Sequence, residues 1–201
     1  MTWIHEDGTM RIAKLPVGEW DNNAYVVACA DTGKAVIIDA ANEADRILQH
    51  VAGLEVQAIL TTHGHFDHIM ALDPVREALG VPWHLHPADI EIAERSPDEM
   101  LSHGQEIVVG NLAIHVLHTP GHTPGSVSFV LEPIIFTGDT LFPGGPGATR
   151  WEYASFGQVM DSIEQQLMAY PDPTVVHPGH GASTTIGTER PSLPAWRERG
   201  W

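Results

Sequence analysis

The chain has 201 residues, 43% of them hydrophobic and 18% charged, and its 10 basic against 26 acidic side chains give a formal net charge of −16. That balance excludes a disordered chain and, for want of cations, a general binder of nucleic acid or anionic membrane. The single cysteine, Cys29, excludes an intrachain disulfide and a thiolate-rich zinc module.

The first ten residues lack the basic start and apolar run of a signal peptide, and no apolar segment reaches the length of a membrane span. The expectation is a soluble, cytoplasmic protein. Met10 to Leu15, Ala24 to Cys29 and Lys34 to Ile38 read as strands, separated by turn residues such as Asp21-Asn22-Asn23 and Asp31-Thr32-Gly33. Asn42 to Val51 reads as an amphipathic helix with Ala44, Ile47, Leu48 and Val51 on one face. Val56 to Leu60 is a further strand, and Asp73 to Leu79 a helix that Gly80 stops. Trp83 to His86 reads as a strand and Pro87 to Glu94 as a helix. In the second half Glu106 to Val109, Leu112 to Leu117, Ser126 to Leu131 and Ile134 to Thr137 are strands. Phe156 to Met168 is the clearest helix, and Thr174 to Val176 a last strand. Two sheets face to face with helices outside, an αββα sandwich of the α/β class, fit this order. Residues 1–201 are expected to form a single domain.

Histidine is the outlier, at 13. Residues 61–68 read Thr-Thr-His-Gly-His-Phe-Asp-His, directly after the strand Val56 to Leu60. Alternate residues of an extended chain share a face, so His63 and His65 can point to one place. Asp67 and His68 lie where the chain turns and can reach a second, neighbouring point. A capping turn before a helix would explain Asp67, but packing has no use for three imidazoles in six residues. Three later strand ends add one group each: His122 in Thr-Pro-Gly-His-Thr-Pro-Gly, Asp139 after Ile134 to Phe136, and His180 in His-Pro-Gly-His-Gly. Nitrogen and carboxylate donors without thiolate suit zinc, iron or manganese. Two such ions sharing a carboxylate can generate a hydroxide nucleophile near neutral pH.

The order His-x-His-x-Asp-His, then His122, Asp139 and His180, resembles the metallo-β-lactamase-fold hydrolase superfamily, from about Met10 to about Gly181. That resemblance implies the αββα sandwich and two divalent ions, zinc first, with iron or manganese as options. By position, His63, His65 and His122 would hold the first ion, Asp67, His68 and His180 the second, and Asp139 would bridge. Asp39 matches an acidic position that supports the ligands from behind. Asp139, and the lack of a cysteine ligand, disfavour antibiotic hydrolysis. The segments Thr119 to Ser126, Thr137 to Phe142 and Pro178 to Gly181 look most like the glyoxalase II-like branch, in a short form without the C-terminal helical domain. This implies hydrolysis of a small-molecule thioester by a metal-bridging hydroxide, with Asp67 and Asp139 catalytic. The chain departs from that branch at Gly64, where a histidine is usual, and in having only 21 residues after His180.

Phe142, Arg150, Trp151 and Tyr153 are candidates for the substrate entrance, with Arg150 gripping a carboxylate. Pro191, Pro194 and Trp196 are expected to pack the tail onto the body. The remaining Trp and Phe residues are expected in the core. His84 and His86 read as strand residues, His118 and His177 as structural hydrogen-bonders, and Cys29 as a small buried hydrophobe. Rival functions are a mononuclear iron persulfide dioxygenase using His63, His122 and Asp139, an acyl-homoserine lactonase, and a non-catalytic metal-binding protein.

Overall fold

Apolar residues at alternate positions put opposite faces of each strand into different layers, and the computed structural model, which describes residues 2–200, shows where those faces go. The first sheet runs in chain order through β1 (His5–Glu6), β2 (Met10–Val17), β3 (Asn22–Cys29), β4 (Lys34–Ile38), β5 (Glu55–Leu60), β6 (Trp83–Leu85) and β7 (Glu99–Met100). The second holds β8 (Glu106–Val109), β9 (Leu112–His118), β10 (Val127–Leu131), β11 (Ile134–Gly138), β14 (Val175–Pro178) and β15 (Thr184–Thr185). A small ribbon of β12 (Leu141–Phe142) and β13 (Gly145–Pro146) stands apart.

Ile12, Tyr25, Val27, Val36, Ile38 and Leu60 face Val116, Phe129 and Phe136 across the space between the sheets. Their neighbours Ala13, Val26, Ile37 and Ile59 point the other way, against Ile47 and Val51 of α1 (Ala44–Val51) and Leu72 and Val75 of α2 (Leu72–Leu79). On the far side Val130, Ile135 and Val176 meet Val159 and Met160 of α4 (Phe156–Ser162). Three apolar layers divide four structural layers, so the chain is an αββα sandwich. No helix of the described residues is long and apolar enough to cross a membrane.

Several expected bounds shift for local reasons. Helix α1 begins at Ala44 rather than Asn42 because Glu43 sits in the left-handed region, φ 52°. Residues 87–94 are not one helix: a 3-10 turn, Pro87–Asp89, precedes the single turn of α3 (Ile90–Ala93). Helix α4 ends at Ser162 and continues as a π turn, Ile163–Leu167, closed by Met168 N–H donating to the Ile163 carbonyl. In the tail Trp196 is buried, but Pro191 and Pro194 are exposed. Each proline instead occupies a first-turn position, of the 3-10 turn Arg190–Ser192 and of α6 (Leu193–Arg199), where its missing N–H leaves no hydrogen bond unmade. Between them and β15 lies α5 (Ile186–Glu189).

The two halves are stitched at one edge. Asn23 N–H donates to the Gly179 carbonyl at 2.7 Å, and Tyr25 Oη–H and Asn23 Nδ2–H donate to the Pro178 carbonyl at 2.7 and 2.9 Å. This holds the end of β14 beside the start of β3. Strand pairs β4–β5 and β11–β14 are parallel, so their C-terminal ends gather at this edge.

Gly121 lies before His122 with φ 137°, and a side chain there would fall on the Val159 backbone of α4. Gly121→Ala is expected to destabilise the protein by about 2–4 kcal/mol, from backbone strain plus overpacking. Urea unfolding would measure it, and an unchanged midpoint would show that the turn and α4 can separate without loss.

Candidate metal centre

The centre forms where parallel strands end. Asp39 follows β4, His63 and His65 follow β5, Asp139 follows β11 and His180 follows β14. His122 comes from the tight turn between β9 and β10. His68 and Asp67 belong to the 3-10 turn Phe66–His68, which has no side-chain cap, so Asp67 is free for other work.

All seven candidate ligands converge. His63 Nε2 and His122 Nε2 each lie 3.0 Å from His65 Nδ1. His180 Nε2 lies 3.3 Å from both His68 Nε2 and Asp67 Oδ2. Asp139 stands between the clusters: its Oδ2 is 3.5 Å from His122 Nε2 and from His180 Nε2, and its Oδ1 is 3.5 Å from His68 Nε2. Three triads, His63–His65–His122, His63–His68–Asp139 and Asp67–His68–His180, each bring ligand atoms within 4.8 Å of one another.

The outward nitrogen of every imidazole is committed. His68 Nδ1–H donates to Asp39 Oδ2 at 2.9 Å, His122 Nδ1–H to the Ala148 carbonyl at 2.7 Å, and His180 Nδ1–H to the Trp20 carbonyl at 2.7 Å. His63 Nδ1 faces Thr62 Oγ1 at 3.1 Å, whose own proton goes to Asp39 Oδ2. His65 Nε2 faces Tyr153 Oη at 2.8 Å. With their protons spent outward, the inner nitrogens present lone pairs to one another at 3.0 Å, an arrangement that a shared cation satisfies.

Charge points the same way. Burial and neighbouring imidazoles hold His63 and His122 below the usual range and His65 at about 4, so these three are neutral donors. Burial opposes a charge on His180, but the Asp139 and Asp67 carboxylates outweigh it and push the group up to about 11. The carboxylates draw positive charge into the second cluster. Asp139 Oδ1, fully buried, has no hydrogen-bond partner. The donor set, the orphaned carboxylate oxygen and the closeness of Gly179, whose Cβ would strike Asp139 Oδ1, fit a pair of metal ions.

One supporting residue carries no local sequence signal. Asp89 is fully buried, and its carboxylate accepts from Gly64 N–H at 2.7 Å, Gly125 N–H at 2.6 Å and Thr123 Oγ1–H at 2.6 Å. It clasps the His63–His65 segment to the His122 turn. Gly64 and Gly125 permit this approach: a Cβ at Gly64 would lie 2.7 Å from the Asp89 carbonyl oxygen, and one at Gly125 2.6 Å from Asp89 Oδ1.

The centre opens into a cleft of about 1070 Å³, and Phe142, Arg150, Trp151 and Tyr153 all line it. Trp20 and Phe66, expected in the core, line it too and are exposed. They occupy tight turns beside the ligands, where no sheet covers them. Outside the centre His86 stacks on His118 at 4.2 Å, and His118 and His177 hold the Pro124 carbonyl and Ser183 Oγ.

Asp89→Ala removes the clasp without touching a ligand. Affinity of the His63–His65–His122 cluster for a divalent ion is expected to fall about 10–100-fold. Competition with a chelator would read it, and an undiminished metal affinity would show the clasp to be dispensable.

Comparison with known proteins agrees with this geometry. The family model described as Metallo-beta-lactamase superfamily matches residues 17–180. The chain is 34% identical to the probable metallo-hydrolase YqgX of Bacillus subtilis, covering 92% of this chain and 97% of the relative. It is 30% identical to the hydroxyacylglutathione hydrolase GloC of Haemophilus influenzae, with the same coverage of 92% and 97%. Among solved structures, the B3 metallo-beta-lactamase BLEG-1 superposes with a TM-score of 0.82 at 33% identity, over 92% of this chain and 99% of that one. ETHE1 from Myxococcus xanthus gives 0.81 at 34% identity, over 91% and 83%. TTHA1623, in a di-iron-bound form, gives 0.80 at 34% identity, over 89% and 96%. A ligand geometry built on an αββα sandwich, and a family match that spans it from β2 to the last histidine, lead to one conclusion: this chain belongs to the metallo-beta-lactamase superfamily of metal-dependent hydrolases.

Proposed function

We propose that the protein is a binuclear metal-dependent thioester hydrolase. His63, His65 and His122 would hold one divalent ion, Asp67, His68 and His180 the other, and Asp139 would bridge them. The observation that carries this reading is the second cluster. Asp67, His68 and His180 are complete and oriented, with both outward imidazole protons committed to Asp39 and the Trp20 carbonyl. A single ion would leave those groups without a task. The similarity to GloC supports the thioester class.

When bound, the two ions supply Lewis-acid chemistry: water acidified into a nucleophile, and neutralisation of the charge that grows on the carbonyl oxygen and the leaving sulfur. The chain's own residues position the reaction. Asp67 Oδ2 accepts from Asn22 Nδ2–H at 3.0 Å, which fixes the carboxylate for orienting the attacking water. His65 with Nδ1 turned inward carries its proton on Nε2 and donates it to Tyr153 Oη. The Tyr153 O–H is then free to donate to the substrate carbonyl oxygen, which places that oxygen on the His65 side. The C–S bond then points towards Asp67 and His180. Arg150, its guanidinium 4.8 Å from the Trp151 ring centroid, would hold an anionic acyl group.

A second reading, persulfide oxidation at one iron held by His63, His122 and Asp139, uses only the first side of the centre. Metal content of protein purified without added metal separates the two. Close to two zinc per chain, or zinc mixed with iron or manganese, is expected; one iron with little else would overturn the binuclear reading. Chelation is expected to abolish thioester hydrolysis and zinc or manganese to restore it, with a cephalosporin as the negative control. Tyr153→Phe is expected to lower kcat/KM on the order of tenfold or more at unchanged metal content. An unaltered kcat/KM would remove Tyr153 from the site.

A further inference from the structure

Seven large apolar side chains are exposed among the described residues, and four of them, Trp20, Phe66, Met70 and Tyr153, line the one cleft that opens on the metal centre. Scattered exposure is ordinary, but convergence on a site is not. Trp20, Phe66 and Met70 are 53%, 63% and 49% exposed. Trp20 and Phe66 meet edge to face, ring centroids 5.4 Å apart and planes at 85°. This wall is built into the centre. The Trp20 carbonyl holds His180 at 2.7 Å, and Phe66 directly precedes Asp67 in the same 3-10 turn.

The cleft is also asymmetric in charge. Asp73, three residues after Met70, lines the cleft and takes up Arg95 at 2.7 Å. Glu19 and Asp21, both exposed, flank Trp20 in its turn. On the opposite side Arg150 has no carboxylate partner among the described residues, and Tyr153 presents its hydroxyl. One side suits an anion and a carbonyl; the other suits an uncharged apolar group bounded by acids.

We infer that Trp20, Phe66 and Met70 form the subsite for the thiol half of the substrate, and that this half is an uncharged alkyl or aryl thiol rather than glutathione. The inference rests on the thioester reading. With the carbonyl oxygen at Tyr153, the sulfur faces Asp67 and His180 and its substituent continues onto the wall. In the reaction a C–O bond forms from water and the C–S bond breaks. Sulfur leaves with the bonding pair, and the products are a carboxylic acid and a thiol. Glutathione carries two carboxylates and would set them beside Glu19, Asp21 and Asp73. An aryl or alkyl group instead removes exposed aromatic surface from water.

Metal-loaded protein would be assayed with the acetyl thioesters of benzyl mercaptan and of glutathione, identical in the acyl half. The benzyl thioester is expected to show a kcat/KM at least about tenfold higher, and Trp20→Ala or Phe66→Ala to collapse that preference, mainly through KM. Binding of a non-hydrolysable analogue, benzyl 2-oxopropyl sulfide, is expected to weaken about tenfold in Trp20→Ala by calorimetry. Metal content serves as the control for folding. Equal or better use of the glutathione thioester, or variants that slow both substrates alike, would overturn the subsite. Cleavage of neither thioester would instead overturn the reading on which it rests. In that case a Kd for the sulfide that Trp20→Ala leaves unmoved would overturn the subsite as well.

Discussion

Asp39 is buried where β4 ends, and its carboxylate anchors both sides of the candidate metal centre. Oδ1 accepts the Thr62 N–H at 2.8 Å, while Oδ2 accepts the Thr62 hydroxyl at 2.8 Å and the His68 Nδ1–H at 2.9 Å. Thr62 in turn faces His63, so one ligand of each cluster takes its orientation from the same group. The residue holds a left-handed backbone, φ 58°, which a non-glycine adopts only where its surroundings demand it. Three donors converging on one buried carboxylate are such a demand. Remove that anchor and the inward nitrogens lose the tautomer that would let them bind a cation.

The rest of the site follows from bringing groups together that repel or starve without a cation. Neutral imidazoles crowd on one side and carboxylates on the other, and the Asp139 carboxylate between them keeps a buried oxygen without a partner. Folding tolerates this because the surrounding frame is stiff. Asp89 clasps two ligand loops, the Asn23 and Tyr25 bonds stitch the sheets, and glycines remove the side chains that would hold the loops apart. The tail adds to the frame: the buried Glu189 carboxylate accepts from Gly144 N–H at 2.9 Å and Thr184 Oγ1–H at 2.6 Å. It thereby steadies the β12–β13 ribbon that carries Phe142 into the cleft.

The two sides of the cleft differ in chemistry. Tyr153 and Arg150 offer a hydroxyl and a cation beside His65, whereas Trp20 and Phe66 offer apolar rings beside His180 and Asp67. A substrate with one polar and one apolar end would be held in a single direction across the centre. Orientation of this kind places the bond to be broken before any reacting group moves.

Much of this protein is legible in its sequence because the relevant signals are local. Period-two alternation marks the long strands, and short Gly- and Pro-bracketed turns after apolar runs mark His63, His65, His122, Asp139 and His180 as strand-end residues. Local signals are silent on the two-residue strands β1, β7 and β15, which exist only because a neighbouring strand offers them hydrogen bonds. They are silent on Asp89, which meets Gly64 and Gly125 at separations of 25 and 36 residues, and on Trp20, whose carbonyl meets His180 across 160. The amino-acid sequence alone determined the layers and brought the candidate ligands into view, since periodicity and turn chemistry act between neighbours in the chain. Which nitrogen of each histidine faces inward, and which aromatic residues stay in solvent to form a wall, only the tertiary structure decided, because those choices depend on partners that sheet register and packing bring from distant parts of the chain.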